Sequence, residues 1–127
     1  MAIEQRVANV GFCTAATDLS TKQFRIVKVT AALAVNLTTV KGEAAFGILQ
    51  NKPKSGEAAD VWTVAVSKVV AGTGGLAAAA SYEADTDGSA VTAEAGKVGL
   101  GTVLIGANAG ELATVTVGMP CGAVIHA

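Results

Sequence analysis

The chain has very few of the side chains that carry out chemistry. Its 127 residues include one histidine and two cysteines. The histidine, His126, is the penultimate residue. A terminal side chain is seldom held to the fraction of an ångström that a Ser-His-Asp or Cys-His device requires. Nucleophilic catalysis is therefore not expected, and no catalytic residue or cofactor is assigned. Cys13 and Cys121 stand near opposite ends without metal-ligand spacing, and read as free thiols in a cytosolically made protein. Cys121 with His126 gives two ligands, short of the four of a structural zinc site.

Other shortages exclude other classes. The net charge of −1 argues against a nucleic-acid partner. No run reaches the roughly 18 apolar residues of a membrane span, and "GGLAAAASY" is short and glycine-rich, so no membrane partner is expected. "MAIEQRVANV" lacks the charged and apolar regions of a signal peptide, so export by that route is not expected. The "NLT" triplet at Asn36 then reads as a strand edge or turn. Aromatic residues are only 4% of the chain, few for a saccharide platform.

What the chain does have is small apolar residues. They reach 51%, yet the mass is only 12.5 kDa, because most are alanine and valine. Each buries little area, at about 25 cal/mol per Å², and a domain of this size buries about two-thirds of its unfolded surface. Marginal stability alone is expected, with help from a partner or from self-association. The length suits a single domain. Residues 1–20 read as an N-terminal arm or edge strand and 21–127 as one β domain. Up to residue 70 there are eight Lys/Arg against five Asp/Glu; beyond it, one against five. That is either surface scatter or a molecule with a basic and an acidic end.

The patterning is that of short strands. "FRIVKVT" is β-branched, and "LAVNLTTV" alternates, with Leu33, Val35 and Leu37 on one face. "DVWTVAVSKVV" is the clearest strand, with Trp62, Val64 and Val66 in phase. That phase places Trp62 in the core rather than on a recognition surface. "SYEADTDGSAVTAE" reads as a hairpin turning at Asp85-Thr86-Asp87-Gly88. Gly47 to Gly56 and Gly101 to Gly110 have equal spacing, and glutamate follows each pair. They read as two similar hairpins, the second with Val115 and Val117 inward. Strands this short, with turn signals every 8–12 residues and no helical period, predict an all-β fold. It is a small barrel or sandwich of antiparallel strands with an extended N-terminal arm.

Few residues suggest a site. Counting Glu83 as position 1, Asp85, Asp87, Gly88 and Glu94 fall at positions 3, 5, 6 and 12, the register of an EF-hand calcium loop. Position 1 is Glu rather than Asp, and no helix flanks the loop. The hairpin explains the same residues, so this is a weak calcium candidate. Gly-x-Gly in "VGLGTVL" lacks the helix that a phosphate cradle needs. Lys97 in "AGKVG" is a faint candidate for the modified lysine of a carrier barrel. Lys52 and Lys54 flank Pro53 on a turn tip, either as a solvated loop or as a contact for an acidic partner.

The segment from Phe46 to Met119, "FGILQNKPKSGEAADVWTVAV…GLGTVLIGANAGELATVTVGM", resembles the capsid decoration, or cement, proteins of tailed bacteriophages. It shares their Gly-Ile-Leu strand, Asn/Pro/Gly-Glu turn, Gly/Ala-rich link, Asp-Gly hairpin and closing Gly-Glu hairpin. The resemblance implies a small β-rich virion protein on the outer capsid surface, often a homotrimer. Such a protein clamps adjacent major capsid subunits against internal DNA pressure, and no cofactor is implied. The first 44 residues carry no match. Arg6 and Phe12 are taken as candidate anchors to the capsid, with strand addition to a neighbour's sheet edge as the mode. Deleting residues 1–20 is expected to weaken shell binding without unfolding the rest. The alternative is a small β ligand- or glycan-binding module of a phage fibre or tail.

Overall fold

The structure is a computed structural model that describes residues 6–94, 96, 98–118 and 124–125. The described residues form strands and turns, with no helix among them. The strands are β1 (Arg6–Ala15), β2 (Ile26–Ala31), β3 (Ala34–Leu37), β4 (Gly47–Leu49), β5 (Ala58–Val70), β6 (Ser81–Ala84), β7 (Ala90–Thr92), β8 (Val98–Gly99), β9 (Gly101–Ile105), β10 (Leu112–Val117) and β11 (Val124–Ile125).

The first five strands close on themselves. β2 pairs with β3 as an antiparallel hairpin and with β4 on its other side. β4 pairs with β5, and β5 returns to β1. β1 meets β3 in parallel at Thr14↔Ala34 and Ala15↔Val35. The result is a five-stranded barrel, the all-β architecture that the strand pattern predicts. Closure matters because a sheet without edges leaves few main-chain groups to satisfy by other means. β5 then runs on past the barrel, pairing with β10 from Val117↔Ala65 to Leu112↔Val70. β9, β6 and β7 follow in that order as an outer sheet, and β8 pairs with β11.

Two cores result. Cys13, Ala15, Leu19, Val27, Val35, Leu49, Ala59 and Val61 fill the barrel. A larger cluster around Tyr82, Ile48, Val69, Val103 and Val115 packs beneath the outer sheet. Most of these side chains are small, as composition requires. Tyr82 is the largest fully buried one.

Residues 6–15, for which the sequence leaves open an arm or an edge strand, are β1. Its ladder to β5 runs from Arg6↔Ala65 to Thr14↔Ala58, with register slips on the way. Among the described residues, its opposite side pairs with another strand at Thr14 and Ala15. Cys13, Ala15 and Leu19 are each at most 3% exposed inside the barrel. This placement argues against the expectation that residues 1–20 can be deleted without unfolding. Deletion would open the barrel and uncover Val27, Val35 and Val61.

The phase of β5 also differs from the sequence reading. Ala59, Val61, Ala65, Ser67 and Val69 are buried, whereas Trp62, Val64 and Val66 are only half-buried. The side that faces the cores is the one carrying small residues. Trp62 lies on the opposite phase and packs from there against the larger core. Leu33, read on one strand face with Val35 and Leu37, instead lies exposed at the tip of the β2–β3 hairpin with φ of 55°.

The two equally spaced glycine pairs prove to do the same two jobs. Gly47 and Gly101 open β4 and β9, where a Cβ would collide with the carbonyl oxygens of Trp62 and Thr116 on the partner strands. Gly56 and Gly110 stand in open space at the far ends of the turns, with φ of 82° and 85°. One glycine of each pair allows close strand approach and the other lets the chain reverse.

Candidate functional surface

The four carboxylates of the calcium candidate occur together in sequence but diverge in space. Glu83 is fully buried in β6. Its Oε2 accepts the Glu94 amide at 3.2 Å, and its Oε1 has no partner. Asp85 Oδ1 accepts the Thr86 amide, and Asp87 Oδ1 accepts the Ser89 amide and hydroxyl. Glu94 lies on the surface beside the Lys41 ammonium, 2.7 Å away. Among the described residues, no group of three or more His, Cys, Asp or Glu could hold a metal ion. The Asp-Gly turn is a hairpin, with the Gly88 amide donating to the Asp85 carbonyl.

The charge asymmetry along the sequence becomes pairing in the fold. The Arg25 guanidinium donates to the Asp87 carbonyl at 3.0 Å and lies 3.3 Å from its carboxylate. Lys41 reaches Glu94. Both contacts tie basic residues of the barrel half to acidic residues of the outer sheet. A third pair, Lys28–Glu43 at 2.9 Å, stays within the barrel half, and Lys28 also donates to Thr39. Burial pushes the Glu43 carboxyl up, but the Lys28 ammonium and the Thr39 amide outweigh it and hold the group below its ordinary value. Asp87 behaves alike: burial raises it, while the Ser89 bonds and Arg25 bring it lower. Burial alone pushes the Tyr82 hydroxyl far above the usual phenol range, and it donates to the Thr116 carbonyl at 2.7 Å.

Lys52 and Lys54 are both exposed on the β4–β5 turn, as their sequence context suggests. The turn is rigid. The Lys54 amide donates to Glu57 Oε1, and the Glu57 amide returns to the Lys54 carbonyl. The Pro53 and Ala15 carbonyls accept from Leu19 and Gly56, which pins the turn to the end of β1. Asp18 lies near enough to feel the Lys54 charge, though its hydrogen bonds from Ser20 lower its carboxyl more. Arg6 and Phe12 belong to β1; Arg6 opposes Ala65, and Phe12 falls in the register slip between Val10 and Cys13. Lys97, Cys121 and His126 lie outside the described residues. Cys13 is a buried free thiol in the barrel core.

The opposite end of β5 looks quite different. There Ile105 pairs with Thr114 and Val103 with Val115, so Leu104 is an extra residue on β9. This β-bulge turns Leu104 and Ile105 outward in succession, at 47% and 62% exposure, beside Leu112 at 47%. The sequence holds a signal for this, since adjacent Leu and Ile in "GTVLIG" break the alternation of the strand. An open recess of about 340 Å³ lies nearby, lined by Arg25, Thr73, Asp87 and Ser89 among small residues. Its charged wall is the Arg25–Asp87 pair, already engaged in joining the two halves.

No family model matches the chain, and no curated protein matches it. Among solved structures the fold is shared with the N base of head fibre gp8.5 of bacteriophage phi29. That match has a TM-score of 0.72 and 15% sequence identity, covering 94% of this chain and 100% of the other. The likeness is one of architecture and extends over nearly the whole molecule.

Proposed function

We propose that this chain is a structural protein of a tailed-phage virion. It sits on the outer surface of the head, where it holds neighbouring major capsid subunits together. The end-to-end fold match to the base of a phage head fibre carries this reading. The sequence resemblance between Phe46 and Met119 supports it independently. The anchoring surface is the barrel end that carries the Lys52-Pro53-Lys54 turn, with the side of β1 from Arg6 to Phe12 that pairs with no described strand as a template for strand addition. Many such sites on one shell convert a modest affinity into firm attachment.

The test uses purified heads lacking the protein. The intact chain should co-sediment with expanded heads and raise their resistance to chaotrope-induced DNA release. Lys52→Glu/Lys54→Glu, which alters two exposed side chains, should weaken that binding while the far-UV spectrum stays unchanged. A chain that never associates with heads would sink the proposal. A second reading is favoured by the neighbour's own description: the domain serves as the base of a head fibre and not as cement. Binding at a few positions per head, with no gain in resistance, would select it.

A further inference from the structure

We infer that copies of this chain meet through the aliphatic tip formed by Leu104, Ile105 and Leu112, an inference that deepens the virion reading by naming one partner. A single exposed leucine is ordinary on a protein surface. Three large aliphatic side chains together, two of them aimed outward by a bulge, mark an interaction surface.

The charges around the tip say what covers it. The sequence has no charged residue from Val69 to Tyr82 and none from Val98 to Gly110. Exposed Ala77 and Ala78 extend the uncharged area, held against β9 by the bonds between Ala79, Ala80 and Val103. A partner that placed an ion on this surface would lose its hydration with nothing to replace it. Besides the Arg25–Asp87 pair in the adjoining recess, which is engaged with itself, two charges stand at the borders, on opposite sides of Leu112. Glu111 precedes it in the turn, and Lys68 lies opposite Thr114 on β5. Lys68 is exposed, with its ammonium 5.7 Å from the centre of the Phe24 ring. A second copy brings an uncharged aliphatic centre with one acid and one base at its margins. Lys68 of each copy can then face Glu111 of the next, so the surface is complementary to itself.

Sedimentation equilibrium on the full chain, with and without heads, tests this. The wild type should self-associate. Ile105→Asp or Leu112→Asp should raise the dissociation constant on the order of a hundredfold. Lys68→Glu alone should weaken association about tenfold, and adding Glu111→Lys should restore it to within about threefold. Circular dichroism and the reversal by the second charge change separate loss of association from loss of fold. A wild type that stays monomeric at all concentrations overturns the inference, as does an oligomer that the Asp substitutions leave intact. A monomer whose head binding is abolished by Ile105→Asp also overturns it, by giving the tip to the shell. An oligomer that the Asp variants dissociate, but that never binds heads, supports the inference and removes the virion reading instead.

Discussion

The barrel and the outer sheet share β5, yet they are stabilised differently. In the barrel, backbone pairing closes a ring, and the space inside is filled by aliphatic side chains and one thiol. The outer sheet ends at the three-residue strand β7, which meets the chain just after β5 only at the single bridge Ala71–Ala90. It relies on a large buried ring, Tyr82, whose hydroxyl fastens β6 to β10, and on the Arg25–Asp87 and Lys41–Glu94 pairs across to the barrel. A closed ladder tolerates a light core. One held at its far edge by a single bridge needs an anchor.

The strongest way to break this comparison is to remove the anchor. Tyr82→Ala should cost about 3–5 kcal/mol, the range for truncating a buried aromatic residue. Because β5 passes through both cores, denaturant unfolding should remain one transition with a lowered midpoint. Two separated transitions, with a barrel-like signal outlasting the first, would show that the halves fold independently. Leu49→Ala is the matching change in the barrel, at about 3 kcal/mol. Urea titrations of both variants give the comparison directly.

Two smaller changes sharpen it. Tyr82→Phe keeps the ring but removes the hydroxyl's bond to the Thr116 carbonyl, at about 1 kcal/mol near neutral pH. Its pH dependence is more telling. The folded-state value of Tyr82 is raised by burial, so its contribution is complete below the ordinary tyrosine value of about 10 and is lost as pH rises further. The wild type should lose stability in that alkaline window, and Tyr82→Phe should lose less. The smallest effect belongs to the barrel-half pair. Glu43→Gln should cost no more than about 1 kcal/mol at pH 7, since partly exposed pairs are screened by solvent. The Glu43 carboxyl is held below its ordinary value, so its contribution is present above about pH 4 and lost as pH falls further. The acid limb of stability should therefore be flatter in Glu43→Gln, as chemical denaturation between pH 7 and 3 would record.

Strand identity was readable from local pattern. The Asp-Gly hairpin, the two Gly-Glu hairpins and the inward phase of Val115 and Val117 follow from turn chemistry and alternation, which act over a few residues. The phase of β5 was not readable in this way. In a strand covered on both faces, hydrophobicity does not say which side is deeper, and here the small residues Ala59, Ala65 and Ser67 take the tight side. Closure of the barrel was hidden as well. It depends on β1 reaching β5 across some fifty residues, and the first twenty residues show no sustained period. As for the candidate surface, Lys52 and Lys54 are exposed as their turn suggests. The Glu83 register suggested calcium only because spacing along a chain ignores where each carboxylate ends up: Glu83 is buried in β6, while Asp85 and Asp87 accept bonds from their own turn.

β5 also has a mechanical consequence. Its thirteen residues span on the order of 40 Å, from the lysine turn at one pole to the aliphatic tip at the other. Ladder hydrogen bonds in antiparallel pairs lie across the strand direction. A pull between the poles therefore loads the bonds to β1, β4 and β10 side by side, in shear, and does not unzip them one after another. Force applied along this axis meets the ladder in its most resistant direction.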